Sequence, residues 1–479
     1  MSQLTARLLV FFTSAAVLVL EILAQRLLAP YLGVSLEVVT GVIGVILAGI
    51  ALGAWAGGYT ADRTDPSRLL GPILVVGGLT ALAAPLVVDA LGPAVPTTSP
   101  VSIVILTILG FFAPAAVLSA VPPVVVKLRL ATLEETGTVV GSYSAVGTAG
   151  GIFGTFITGF VLIAAFPTRP IVIAVGAALV LAGVTLWRRY AGTGLFNVAA
   201  LGIVFAGGLV VFGGPCQYET TYHCADVVTD PDRPTGRTLY LDQVANSYVD
   251  LDDPTHLEFR YARVMADVIE ESLPGGPLKV VSIGGGGFTF NSYLAAVRPG
   301  TEHLTLEIDH LLVDIGHEHL GLDEHARVVI DDARRSLLEV DEDWADLVIG
   351  DAFSGLSVPW HLTTREFVGD IARRLAPGGI YTMNVIDYGD LDFVRSEMAT
   401  LTAEFEHTSV FAPPAYLSGE AGGNFVLVAS DSPLPLKEIE DAIATRGGAE
   451  VAASPEEFVG GARPLTDDFA PVDQMIDRP

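Results

Sequence analysis

Between Lys279 and Asp309 the chain reads KVVSIGGGGFTFNSYLAAVRPGTEHLTLEID, and few folds accommodate such a stretch. Lys279 to Ile283 is a short β-branched run, broken only by the small Ser282, as suits a buried parallel strand. Gly284 to Gly287 follow, then a helix-compatible segment from Thr289 to Val297. A second short strand, Leu304 to Leu306, ends on Glu307. Glycines between strand and helix let the backbone approach a ligand, and an acid roughly 20 residues on is placed to accept ribose hydroxyls. The glycine signal by itself is weak, because Thr289 stands where a third glycine would complete the fingerprint. The order strand, glycine turn, helix, strand, terminal acid makes it a nucleoside-binding expectation.

Beyond this stretch strands are expected near 326–330, 345–350, 379–384, 407–411 and 424–429. Helices are expected at about 310–319, 363–375, 392–405 and 436–446. That alternation predicts an α/β, mostly parallel, doubly wound Rossmann-like sheet over 276–479, preceded by a small β-rich segment over 215–275. Ligands in such sheets sit beyond the carboxyl ends of the strands. Gly284–Gly287, Glu307, Asp331–Asp332 and Asp351 fall there.

The first half obeys other rules. Seven apolar stretches, about 6–28, 36–60, 69–91, 101–126, 139–165, 170–187 and 195–213, are long enough to cross a bilayer. Residues 1–214 are therefore expected to form a multi-pass membrane domain with about seven transmembrane helices. Charge divides the same way: nine Lys/Arg against seven Asp/Glu up to residue 214, and 17 against 47 thereafter. The acidic half lacks the basic footprint of a nucleic-acid binder. Glycines at 41, 44, 49, 53 and 57, and at 147, 150, 151 and 154, are spaced for close helix packing. Glu21 lies deep in the first span, and Arg26 is expected to snorkel to the interface. The loop arginines Arg63, Arg68, Arg129, Arg188 and Arg189, with Lys127, orient the amino terminus inward and the acidic half outward. Cys216 and Cys224, the only cysteines, would suit a disulfide there. Nucleoside cofactors are cytosolic, so the side remains open at this point.

Several motifs carry a resemblance. GGGG, LEID, DDA, VIGDAFSG and LAPGG in the second half resemble the class I methyltransferase-type fold of spermidine synthases. LEILAQRLLAPYLG, GGYTADR, DAFSGLSVPWHLTTREF and PLTDDFAPVDQM together resemble the fused membrane (major-facilitator-like)/spermidine synthase-like family, over nearly the whole chain. The resemblance implies that Gly284, Gly285 and Gly286 cradle decarboxylated S-adenosylmethionine. It further implies Glu307 on the ribose, Asp332 and Ala333 near the adenine, and Asp351 as the catalytic group at the reacting amine. Asn246, Tyr261 and Ser354 are the implied substrate-binding positions, with no metal. The expected partners are a small amine, the lipid bilayer and a second copy of the chain.

Departures from the family pattern matter as much. Gly287 and Ser354 stand where the family carries acids, Arg263 replaces the acid of a Tyr-x-Glu pair, and Asn246 at best matches a gatekeeping glutamine. Three amine-holding anions are thereby lost, which predicts poor handling of a diamine such as putrescine. The alternatives are methyl transfer from S-adenosylmethionine, and a transporter or polyamine sensor that binds without turnover. A nicotinamide dehydrogenase is disfavoured by the downstream motifs. His317 and His319 face different sides of a helix and make no metal set. Thr466 to Asp468 are expected to cap a turn or close the edge of the site.

Overall fold

A computed structural model describes residues 1–32, 35–94, 100–130, 132, 134–190, 216–242, 244–353 and 355–476. The chain divides into two units, Met1–Cys224 and Ala225–Pro479.

Among the described residues of the first unit, six helices are long and apolar enough to cross a membrane: α1 (Gln3–Leu32), α2 (Leu36–Ala61), α3 (Pro66–Ala94), α4 (Pro100–Arg129), α5 (Thr136–Leu162) and α6 (Thr168–Tyr190). They match the first six apolar stretches; the stretch 195–213 lies outside the described residues. Glycine sets the close packing. A Cβ at Gly150 or Gly154 of α5 would fall on the carbonyls of Phe11 and Ala15 in α1, and Gly53 of α2 meets Ala116 of α4 in the same way. The buried charge of Arg169 is paired with Asp89 across α6 and α3. Arg26 does not simply snorkel. Its guanidinium donates to the carbonyls of Thr220 and Thr221 and pairs with Glu219 on the short strand β1 (Tyr218–Glu219). Cys216 and Cys224 are disulfide-bonded.

The second unit opens with an antiparallel meander, β2 (Cys224–Thr229), β3 (Gly236–Leu241) and β4 (Val244–Asp250). Helix α7 (Arg260–Ser272) then packs its apolar face, Val264 to Ile269, onto an eight-stranded sheet. The strands are β5 (Lys279–Ile283), β6 (Glu302–Glu307), β7 (Arg327–Ile330), β8 (Ala345–Gly350), β9 (Leu375–Asp387), β10 (His407–Ala412), β11 (Gly423–Ser430) and β12 (Val451–Ala453). Their order is β12-β10-β11-β9-β8-β5-β6-β7. From β9 to β7 neighbours run parallel, whereas β11, β10 and β12 are antiparallel additions, so the parallel part is confined to one side of the sheet.

Helices α8 (Thr289–Val297), α9 (His310–His319), α10 (Ala333–Leu337), α11 (Arg365–Arg374), α12 (Asp392–Glu404) and α13 (Leu436–Thr445) fill the connections. Local chemistry fixes several of their starts. Asp309 accepts the Leu311 N–H at 3.1 Å before α9, and Thr364 accepts that of Phe367 before α11. Chain order reverses between β5 and β8, which each pair with the next strand outward, and this switch point opens a crevice at their carboxyl ends.

Candidate active site

The glycine turn after β5 forms one wall of the crevice. Gly284 (φ +91°) and Gly286 (φ +49°) are left-handed, and a Cβ at Gly284 would fall 2.7 Å from the carbonyl oxygen of Asp351. Glycine at 284 is thus required twice, by its backbone angle and by the close approach of β8. The next strand end anchors the turn. Glu307 Oε2 accepts the Gly285 N–H at 2.7 Å, and Oε1 accepts the Asp309 N–H at 2.9 Å. Burial raises the Glu307 carboxyl above the usual carboxylate range, although those two N–H groups favour the ionised form.

Asp332 and Ala333 start α10, beyond β7. Asp332 caps that helix through the Arg335 N–H, and its other oxygen lies 2.8 Å from His361 Nε2. Ala333 is buried.

Asp351 follows β8 directly. Its backbone N–H donates to the Ile283 carbonyl, which places its carboxylate beside the glycine turn. Tyr261 Oη donates to Oδ2 at 3.0 Å, and Asn384 Nδ2 donates to Oδ1 at 3.0 Å. Asn424 Nδ2 donates in turn to Asn384 Oδ1 at 3.0 Å, fixing that amide. Burial pushes the Asp351 carboxyl up to about 6, against the two hydrogen bonds that lower it. Burial and the neighbouring Asp351 charge push the Tyr261 phenol well above 10, so it remains a donor. Asp351 keeps a partly exposed side facing a cavity of about 350 Å³.

That cavity brings together Asp351, Tyr261 and Asn246 from the sequence-predicted set. The glycine turn borders it, since a Cβ at Gly286 would lie 3.0 Å from Asn246 Oδ1. Glu307, Asp332 and Ala333 are not among its walls, and Ser354 lies outside the described residues. Arg263 corrects the sequence-based expectation: it is exposed on α7 and lines no part of the cavity. Gly287 has a local explanation. Its N–H donates to Ser247 Oγ at 2.9 Å, and a Cβ there would fall 2.5 Å from Ser247 Cβ, so β4 occupies the space an acid would need.

Sequence reasoning missed Arg260, Asn384, Tyr388, Tyr416, Asn424 and Glu450 on the cavity wall. Only the position of Arg260 beside Tyr261 offered a signal. The C-terminal motif is hydrogen-bonded to the starts of α10 and α11 and to the segment after β8. Asp467 accepts both Arg334 Nη groups and Thr364 Oγ1, and Asp473 accepts Ser357 Oγ. No group of three His, Cys, Asp or Glu side chains able to hold a metal occurs among the described residues.

No protein-family model matches the chain. Its curated relatives are polyamine aminopropyltransferases. That of Chromobacterium violaceum is 25% identical over 151 residues, 31% of this chain and 57% of the relative. That of Vibrio vulnificus is 27% identical over 218 residues, 42% of this chain and 70% of the relative. The chain thus spans little more than half of the first relative's length. Among solved structures, a probable spermidine synthase from Corynebacterium glutamicum superposes with a TM-score of 0.50 at 27% identity, covering 56% of this chain and all of that one. Among its described residues the chain therefore has six long apolar helices followed by an α/β unit of the spermidine synthase type.

Proposed function

We propose that the second unit is an aminopropyltransferase that takes decarboxylated S-adenosylmethionine as donor and an amine as acceptor. The observation that carries this reading is Asp351. It stands at the switch point against the glycine turn, is oriented by two neutral donors, and opens onto a cavity of about 350 Å³. The polyamine aminopropyltransferase relatives support it. In this reading Gly284 to Gly286 and Glu307 hold the methionine-derived chain and the ribose, with Asp332 and Ala333 beside the adenine. Each Glu307 oxygen already accepts one main-chain N–H, and the remaining lone pair on each suits one of two adjacent hydroxyls.

A primary amine has a pKa near ~10, like lysine, and arrives protonated. Asp351 takes its proton, and the nitrogen lone pair then forms a bond to the carbon beside the sulfonium. The carbon–sulfur bond breaks, and its electron pair goes to sulfur, leaving a neutral thioether. Tyr261 and Asn384 keep Asp351 aimed throughout. In the same proposal the apolar helices of the first unit hold the enzyme at a bilayer, as in the fused family that the sequence resembles.

Calorimetry on the detergent-solubilised full chain tests the donor. Decarboxylated S-adenosylmethionine should bind more tightly than S-adenosylmethionine itself. Preference for the carboxylated form would move the assignment to methyl transfer, and binding of neither would end the nucleoside reading.

A further inference from the structure

The chemistry of the cavity walls narrows the acceptor, an inference that rests on the aminopropyl-transfer reading. We infer that the acceptor carries a single ammonium group on an apolar, preferably aromatic, body and is not a diamine. Three charged side chains line the cavity among the described residues: Asp351, Arg260 and Glu450. Two of them cancel. Glu450 is buried, its Oε1 is 3.0 Å from Arg260 Nε, and its Oε2 accepts the Ala449 N–H at 3.0 Å. The Arg260 guanidinium also lies over the Tyr416 ring, 5.8 Å from its centroid. A second ammonium group reaching toward Glu450 would therefore meet a guanidinium already in place. Asp351 is the one carboxylate on the wall whose partners are neutral, so the cavity holds one cation.

The remaining wall mixes aromatic side chains with the amides of Asn246, Asn384 and Asn424. Phe259, Phe353, Tyr388, Phe411 and Tyr416 contribute rings to it. Such walls gain by burying an apolar body, and their faces attract an ammonium group, but they give a second charge no counter-ion. Asn384 and Asn424 add no anion; the Asn384 amide donates to Asp351 and accepts from Asn424 Nδ2. Nor has β4 room for an acid at Gly287, because Ser247 fills that space.

An acceptor series tests this on the full-length protein with decarboxylated S-adenosylmethionine. Phenethylamine, butylamine and putrescine are compared by product mass spectrometry, and the amines' own binding is ranked in parallel by calorimetry. One charge-assisted contact too few should leave putrescine about ten- to hundredfold behind phenethylamine in kcat/KM and in affinity. Arg260→Gln would release Glu450 and should move the putrescine-to-phenethylamine ratio upward by about tenfold. Arg260→Lys, which keeps the charge, should leave that ratio near the wild-type value. A purely structural Arg260 would lower both amines together, which overturns the inference. Putrescine ranked equal or first in the wild type does the same. Failure of the nucleoside to bind would instead undo the donor reading, while the amine ranking is still read from binding.

Discussion

The proposed function gives the crevice a donor end and an acceptor end, and at the donor end the acid is held by main chain: Gly285 and Asp309 N–H groups meet the two oxygens of Glu307. At the acceptor end the acid is held by side chains, Tyr261 and Asn384, the latter steadied by Asn424. A main-chain donor survives the replacement of almost any side chain, so the setting of Glu307 depends on the backbone of the glycine turn and the strand end. A wall made of side chains changes with each substitution. There Gly287 packs on Ser247, and Arg260 is paired with Glu450. Under the proposed function, the difference would let nucleoside binding and acceptor choice vary separately in this scaffold.

The sharpest way to break that comparison is Asp351→Asn. The amide is isosteric; Asn384 still finds an oxygen, and the Tyr261 hydroxyl turns to accept from the new amide. What disappears is the proton acceptor, so kcat should fall by about 10²- to 10⁴-fold while donor affinity is kept. Stopped-flow or end-point product analysis checks the rate and calorimetry the affinity; a full-rate variant would remove Asp351 from the chemistry. Glu307→Ala is the complementary change and a smaller one. Losing a charged hydrogen-bond acceptor should weaken donor binding by about ten- to hundredfold, with the acceptor ranking unaltered. Unchanged donor affinity in a folded variant would place the ribose elsewhere.

Much of this architecture was legible because it is local. The apolar run of β5, the turn glycines and Glu307 lie within one short stretch, and Asp309 and Thr364 cap helices that begin beside them. The apolar spans were legible from length alone. The acceptor wall was not, for a physical reason. Arg260 meets Glu450 from a part of the chain far away, and Asn384 and Asn424 face one another only because β9 and β11 pair antiparallel. In the sequence those asparagines interrupt apolar runs without saying what they hold. Asp332 shows the opposite hazard. The acid was visible, yet its oxygens are engaged by the Arg335 N–H and by His361.

The smallest expected effect is in the pH dependence, and it separates the two acids. Burial raises the Asp351 carboxyl to about 6, so the folded protein holds a proton there at mildly acidic pH that the unfolded chain has already released. The sign follows for both rate and stability. Below about pH 6 the carboxyl is protonated and cannot take the amine's proton, so the rate at saturating donor should fall by about tenfold per pH unit. Between the unfolded value near 4 and the folded value near 6, the folded state binds the extra proton, so the Asp351 contribution to stability declines as pH rises. Donor affinity should not share the midpoint near 6, because Asp351 touches the acceptor rather than the ribose in this reading. Measuring kcat and donor Kd across about pH 5 to 8 on the same preparation gives the test. A rate limb near 6 with flat donor binding keeps the two ends distinct; a common midpoint in both would mean that a single acid serves donor and acceptor alike.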